Sequence, residues 1–115
     1  MQVPLHVTLR NLAHSDALEA RIRNKAEKLE GLKNRLQSIS VTVESRHRHQ
    51  RQGREFVVNL DIRLPGREVV INREHDEDVY VALRDAFDAA RRQLEELAEM
   101  RRGEVKGHRP SGERT

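Results

Sequence analysis

The sequence predicts an α+β domain of order β-α-β-β-β-α, with a four-stranded mixed sheet and two helices packed on one face. Three observations carry this. Apolar and polar residues alternate in four short segments, the period of a half-buried strand. In two other segments apolar residues recur at steps of three and four, the period of an amphipathic helix. One helical segment separates the first two strands, whereas the last three strands follow each other directly. A strand-helix-strand unit closes as a right-handed crossover between parallel strands, and directly joined strands form an antiparallel meander.

Each element has its own justification. Val3, Leu5, Val7 and Leu9 alternate with Pro4, His6 and Thr8 as the first strand. Pro4 has no N–H for the ladder, so this strand begins at or beside a sheet edge. Ser15 or Asp16 caps the first helix, which buries Leu18, Ile22, Ala26 and Leu29 and ends at Gly31. Leu32 to Gln37 connects to a second strand marked by Ile39, Val41 and Val43. Phe56, Val58, Leu60, Ile62 and Leu64 form the third strand, Pro65-Gly66 is a turn, and Val69 with Ile71 marks the fourth. Residues 74 to 102, EHDEDVYVALRDAFDAARRQLEELAEMRR, read as one long helix whose apolar face is Tyr80, Leu83, Phe87, Ala90, Leu94 and Leu97. Its acidic start, Glu74-His75-Asp76-Glu77-Asp78, suits the positive end of the amide dipoles. The sheet face away from the helices keeps His6, Thr8, Ser40, Thr42, Glu44, Asn59, Asp61 and Arg63.

A chain of 115 residues has room for one modest core, and 36% apolar against 36% charged residues keeps that core economical. Mean hydropathy is −0.84. The domain is expected over residues 1–100, with residues 101–115 as a basic disordered tail or linker. The absence of Cys excludes disulfides and thiolate metal sites. No apolar run approaches the roughly 20 residues of a membrane span. Met1 is not followed by a basic-then-apolar leader, so a cytoplasmic location is expected and no membrane partner.

The net charge of +3 is concentrated. Residues 101 to 115 carry five basic residues against two acids, which accounts for all of it. Within the neutral remainder, RHRHQRQGR at 46–54 holds Arg46, Arg48, Arg51 and Arg54 without an acid, at the tip of a hairpin. Arg21, Lys25 and Lys28 form a basic stripe beside the apolar face of the first helix, and Arg84, Arg91 and Arg102 share an azimuth on the second, with Arg92 next to Arg91. A solvated helix edge with local ion pairs explains either stripe alone. Two such rows on packed helices suit a groove of phosphates. Concentrated positive charge and a pI near 9.8 therefore point to a polyanion, nucleic acid before membrane.

Other chemistries find less support. His47 and His49 have a spacing open to a metal, but the neighbouring arginines repel a cation; the acids at 74–78 are explained by the helix dipole. No carboxylate pair, nucleophile-base arrangement or Gly-rich phosphate loop is identifiable, so no catalytic residue, metal, cofactor or small-molecule substrate is expected. The aromatic residues are Phe56, Tyr80 and Phe87, of which both phenylalanines belong to apolar stripes. Base stacking on a sheet needs exposed aromatics, so recognition of phosphates and RNA shape remains.

Asp78, Tyr80 and Ala82 in the acidic approach to the second helix, Arg92-Gln93-Leu94 further along it, and Ser15 capping a helix with Lys25, Lys28 and Leu29 together resemble the ribosome hibernation-promoting factor family, also called ribosome-associated inhibitor or sigma-factor modulation proteins, in its short form. The resemblance covers roughly residues 2 to 100. It implies a fold somewhat like double-stranded-RNA-binding domains and no catalysis. It also implies binding to the small ribosomal subunit and its rRNA in the mRNA/tRNA channel, inhibiting translation under stress or in stationary phase. Ala89 and Glu96 stand where the family is commonly basic, and residues 74–100 carry nine acids against three arginines. The tail after Arg102 resembles the linker that precedes a cold-shock domain in some relatives. The alternatives are a protein-interaction regulatory module and a general RNA-binding domain. Neither the oligomeric state nor a choice between paired and single inactive ribosomes follows from the residues.

Overall fold

The computed structural model describes residues 3–31, 35–47 and 53–105. The elements follow the expected order: β1 (Leu5–Arg10), α1 (Asp16–Glu30), β2 (Ser38–His47), β3 (Arg54–Leu64), β4 (Arg67–Asp76) and α2 (Val79–Val105). They build one sheet of order β1-β2-β3-β4. β1 runs parallel to β2, and β2, β3 and β4 are successively antiparallel. The crossover and the meander are thus as the element order implies.

Both helices lie over one face and close a single core. Ile39, Val41 and Val43 point inward from β2, Val58, Leu60 and Ile62 from β3, and Val69 and Ile71 from β4. They meet Leu18, Ile22, Ala26 and Leu29 of α1 and Leu83, Phe87, Ala90 and Leu94 of α2. Each large aliphatic buried this way contributes roughly 1.5–3 kcal/mol, which is how a chain poor in apolar residues holds together. On the other face His6, Thr8 and Arg63 are exposed, and Ser40, Thr42, Glu44, Asn59 and Asp61 half-buried. Val3 N–H donates to Glu30 Oε2 at 3.1 Å, tying the end of α1 to the start of the first strand segment. β1 ends beside Glu44 and β4 ends beside Phe56, the partner of Ser45, so both helices begin at the same end of the sheet.

Three expectations change. The second helix starts at Val79, not residue 74, because Glu74, His75 and Asp76 continue β4 against Val58, Val57 and Phe56. A long β3 offers backbone partners there, and ladder hydrogen bonds outweigh the small dipole term. Asp76 Oδ1 accepts from Asp78 N–H at 3.0 Å, and Asp78 Oδ1 accepts from Tyr80 N–H at 2.8 Å, so these acids turn the chain and cap the helix. The basic hairpin is also more ordered than a loop at 46–54: the ladder persists to His47↔Arg54, leaving Arg46 and Arg54 on strands. Arg48, His49 and Arg51 lie outside the described residues. Finally, α2 continues to Val105, so the first part of the expected tail is helical. Between Leu60↔Ile71 and Val58↔Glu74 the register slips by one residue, a β-bulge that adds local twist to β4.

Candidate nucleic-acid interface

The interface is built from α1 upward. Ser15 caps the helix, its Oγ accepting from Leu18 N–H at 3.2 Å, and Gly31 closes it by donating to Glu27 O at 3.2 Å. With Leu18, Ile22, Ala26 and Leu29 seated in the core, Arg21, Lys25 and Lys28 come out along one side. That side faces α2, because the Arg21 guanidinium lies over the Tyr80 ring, 4.8 Å from its centroid. Lys25 is half-buried and Lys28 exposed, and neither makes an ion pair with a described residue.

The facing side of α2 differs. Arg84 and Arg91 return to within about 40° of the azimuth of Tyr80, so they continue the wall that Tyr80 begins. Both are tied locally. Arg84 Nε and Nη2 donate to Asp85 Oδ1 at 3.2 and 3.1 Å, and Arg91 Nη2 donates to Asp88 Oδ1 at 3.3 Å. Arg92 is exposed, about 100° further round the helix, and points away from the groove. The backbone of Arg102 is helical, but its side chain lies outside the described residues. Of the proposed helix cations, the fold therefore gathers Arg21, Lys25, Lys28, Arg84 and Arg91 around one groove and leaves Arg92 out of it.

At the hairpin, Arg46 Nε sits 3.6 Å from Glu44 Oε1. Arg54 Nη1 donates to Ser45 Oγ, and Ser45 is a buried polar residue at 2% exposure. Sequence reasoning missed the stacking of Tyr80 on Arg21, having placed the ring simply on the apolar stripe. It also missed Ser45 and the Asp85 and Asp88 partners; the three-residue spacing of Asp88 and Arg91 was the available signal. His14, Asp16 and Glu19 bring potential ligand atoms within 4.8 Å of one another. The contact of His14 Nε2 to Asp16 Oδ1, 2.8 Å, belongs to the first turn of α1, where acids suit the dipole. The open sheet face is closely balanced: Arg63 lies 3.4 Å from Glu68 and 3.7 Å from Asp61, and His75 lies 3.7 Å from Glu55.

A sheet carrying two helices whose shared groove is lined by cations defines a binding domain. The family model for the Sigma 54 modulation protein / S30EA ribosomal protein matches residues 5–102, and the chain belongs to that family. It is accordingly a ribosome-associated binding factor and not an enzyme. Among solved structures, it is similar to a ribosomal subunit interface protein from Coxiella burnetii at 14% identity and a TM-score of 0.70, covering 84% of this chain and 99% of that one. It is also similar to the Protein Y N-terminal domain from Thermus thermophilus at 22% identity and a TM-score of 0.66, again covering 84% and 99%. These likenesses bear on the fold. Direct comparison with curated proteins finds no match.

Proposed function

We propose that this domain binds the small ribosomal subunit through rRNA phosphates, occupies the mRNA/tRNA channel and inhibits translation stoichiometrically under stress or in stationary phase. The observation that carries the reading is the α1–α2 groove, where Lys25 and Lys28 have no ion-pair partner among the described residues and Arg21 is held at the rim by Tyr80. Cations preset on packed helices meet folded RNA without ordering long loops first, which favours recognition by shape and phosphate position. Arg46, Arg48, Arg51 and Arg54 extend the contact from the hairpin, and Arg84, Arg91 and Arg102 add to it from α2, whereas Arg92, turned away from the groove, does not. Ribosome binding brings a cytoplasmic location with it.

The test is co-sedimentation with purified small subunits, with and without messenger and initiator transfer RNA filling the channel. The expected outcome is competition, together with a steep loss of binding between roughly 50 and 200 mM salt as counter-ions are released. Binding that ignores salt, or that persists on subunits already filled with both RNAs, would instead favour a protein surface as the target.

A further inference from the structure

Beyond the helical groove, a second concave surface lies at the end of the sheet where both helices begin. Asn11, Ser45, Arg46, His47 and Arg54 line an open cleft of about 570 Å³. We propose that this cleft is a discrete site for one phosphate group, with Arg54 as its principal ligand and Ser45 as the residue that positions Arg54. For its biological occupant, an RNA backbone phosphate, the inference rests on the function proposed above.

Four observations converge. Among the described residues the lining holds no acid, and Ser45, His47 and Arg54 share one face of the β2–β3 ladder, so a guanidinium, an imidazole and a hydroxyl stand together as a set that suits an oxyanion. Glu44 lies 3.6 Å from Arg46 on the opposite face of β2, and Arg54 makes no ion pair with a described residue. Among the described residues Arg54 has one hydrogen-bond partner, the hydroxyl of buried Ser45, which anchors one corner of its planar fork and engages none of its other N–H groups. An anchored fork matches two phosphate oxygens at once with less ordering than a free side chain requires. The fourth is Asn11, which has φ 60° and is the one non-glycine residue with positive φ among the described residues. Asn tolerates this left-handed conformation best among residues with a side chain, yet held backbone strain gathers where a ligand is clamped, and Asn11 is one of the residues lining the cleft.

The decisive experiment is a ¹⁵N-resolved titration of the whole chain with inorganic phosphate against chloride at matched ionic strength. Saturable shifts are expected at the backbone amides of Asn11, Ser45, His47 and Arg54 and not along Lys25 and Lys28. Arg54→Gln should abolish them. Arg54→Lys, which keeps the charge but loses the fork, and Ser45→Ala, which keeps the fork but frees it, should each weaken phosphate binding several-fold in a folded protein. In the subunit assay Arg54→Gln should lower the salt slope by about one. The Lys25→Gln/Lys28→Gln variant should lose subunit affinity yet keep the phosphate shifts. Absence of cleft shifts, shifts of equal size along α1, or full retention in Arg54→Gln overturns the site and leaves the ribosome reading standing. Cleft shifts in a wild-type protein that binds no subunit support the site and remove the RNA reading.

Discussion

The two walls of the interhelical groove both carry cations, three on α1 and two on α2, but offer them differently. On α1, Lys25 and Lys28 have no acidic partner among the described residues, and Arg21 spreads over an aromatic face that leaves its N–H edge usable. On α2, Arg84 and Arg91 are each held by an aspartate on their own helix. An exposed ion pair of this kind is worth only about 0.2–1 kcal/mol, so phosphate can displace it, but the aspartate remains nearby as a like charge to the incoming anion. The difference teaches that available charge, not counted charge, describes a binding surface. For the proposed contact, it locates the cost of the acid-rich second helix: α1 would supply most of the attraction and α2 mainly shape.

The largest effect should come from breaking the support under both walls. Leu94 is fully buried in the core, so Leu94→Asp puts an unpaired charge between helix and sheet. A loss of about 3 kcal/mol or more is expected, a large share of a small domain's stability. A thermal melt followed by circular dichroism checks this. An unchanged melt would mean that α2 is not packed as described.

Next in size is the asymmetry itself. Lys25→Gln with Lys28→Gln should leave the melt unchanged but lower the salt slope of subunit binding by about two, one for each phosphate no longer neutralised. Arg84→Gln with Arg91→Gln should lower it less. Equal losses from the two variants would dissolve the distinction between the walls, and it would reverse if α2 mattered more.

A smaller effect sharpens the same point from the opposite side. Asp85→Asn with Asp88→Asn removes the local partners of Arg84 and Arg91 while keeping side-chain size. Subunit binding is expected to tighten about two- to fivefold, the scale of an exposed pair released to another anion. Unchanged affinity would place α2 outside the contact.

Much of this arrangement is legible in the residues themselves. The α1 stripe of Leu18, Ile22, Ala26 and Leu29 and the alternation of Ile39, Val41 and Val43 emerge because burial on one face imposes a period on the chain. The start of α2 is not legible in this way. Glu74 to Asp78 has no apolar period, and the extended conformation of Glu74, His75 and Asp76 depends on how far β3 reaches beside them, which is a tertiary fact. The bulge opposite Asn59 escapes for the same reason. In the groove, the sequence places Arg21, Lys25 and Lys28 on one edge, but which way that edge faces is decided by packing against Tyr80. The Arg84–Asp85 pair is hidden for a different reason. Adjacent helical residues normally diverge by about 100°, and only the length of the arginine side chain lets it fold back.

The smallest effect concerns the contact between Arg21 and Tyr80 across the groove. A guanidinium 4.8 Å from a ring centroid at a partly exposed site should contribute about 0.5–1 kcal/mol, too little to decide folding but enough to hold Arg21 at the groove rim. Tyr80→Leu keeps the apolar contact with the core and removes the π face; Arg21→Gln removes the cation. In a double-mutant cycle followed by chemical denaturation, the coupling should equal that modest value, because each single variant loses the same interaction. The two variants should then separate in subunit binding. Arg21→Gln loses a positive charge, so its salt slope should fall by about one, whereas Tyr80→Leu keeps the charge and should lower affinity without changing the slope. If Tyr80→Leu flattened the slope as much as Arg21→Gln, the ring would be controlling whether Arg21 reaches phosphate at all. If the cycle showed no coupling, the stack would be incidental, and the two walls would be held in register by the core alone.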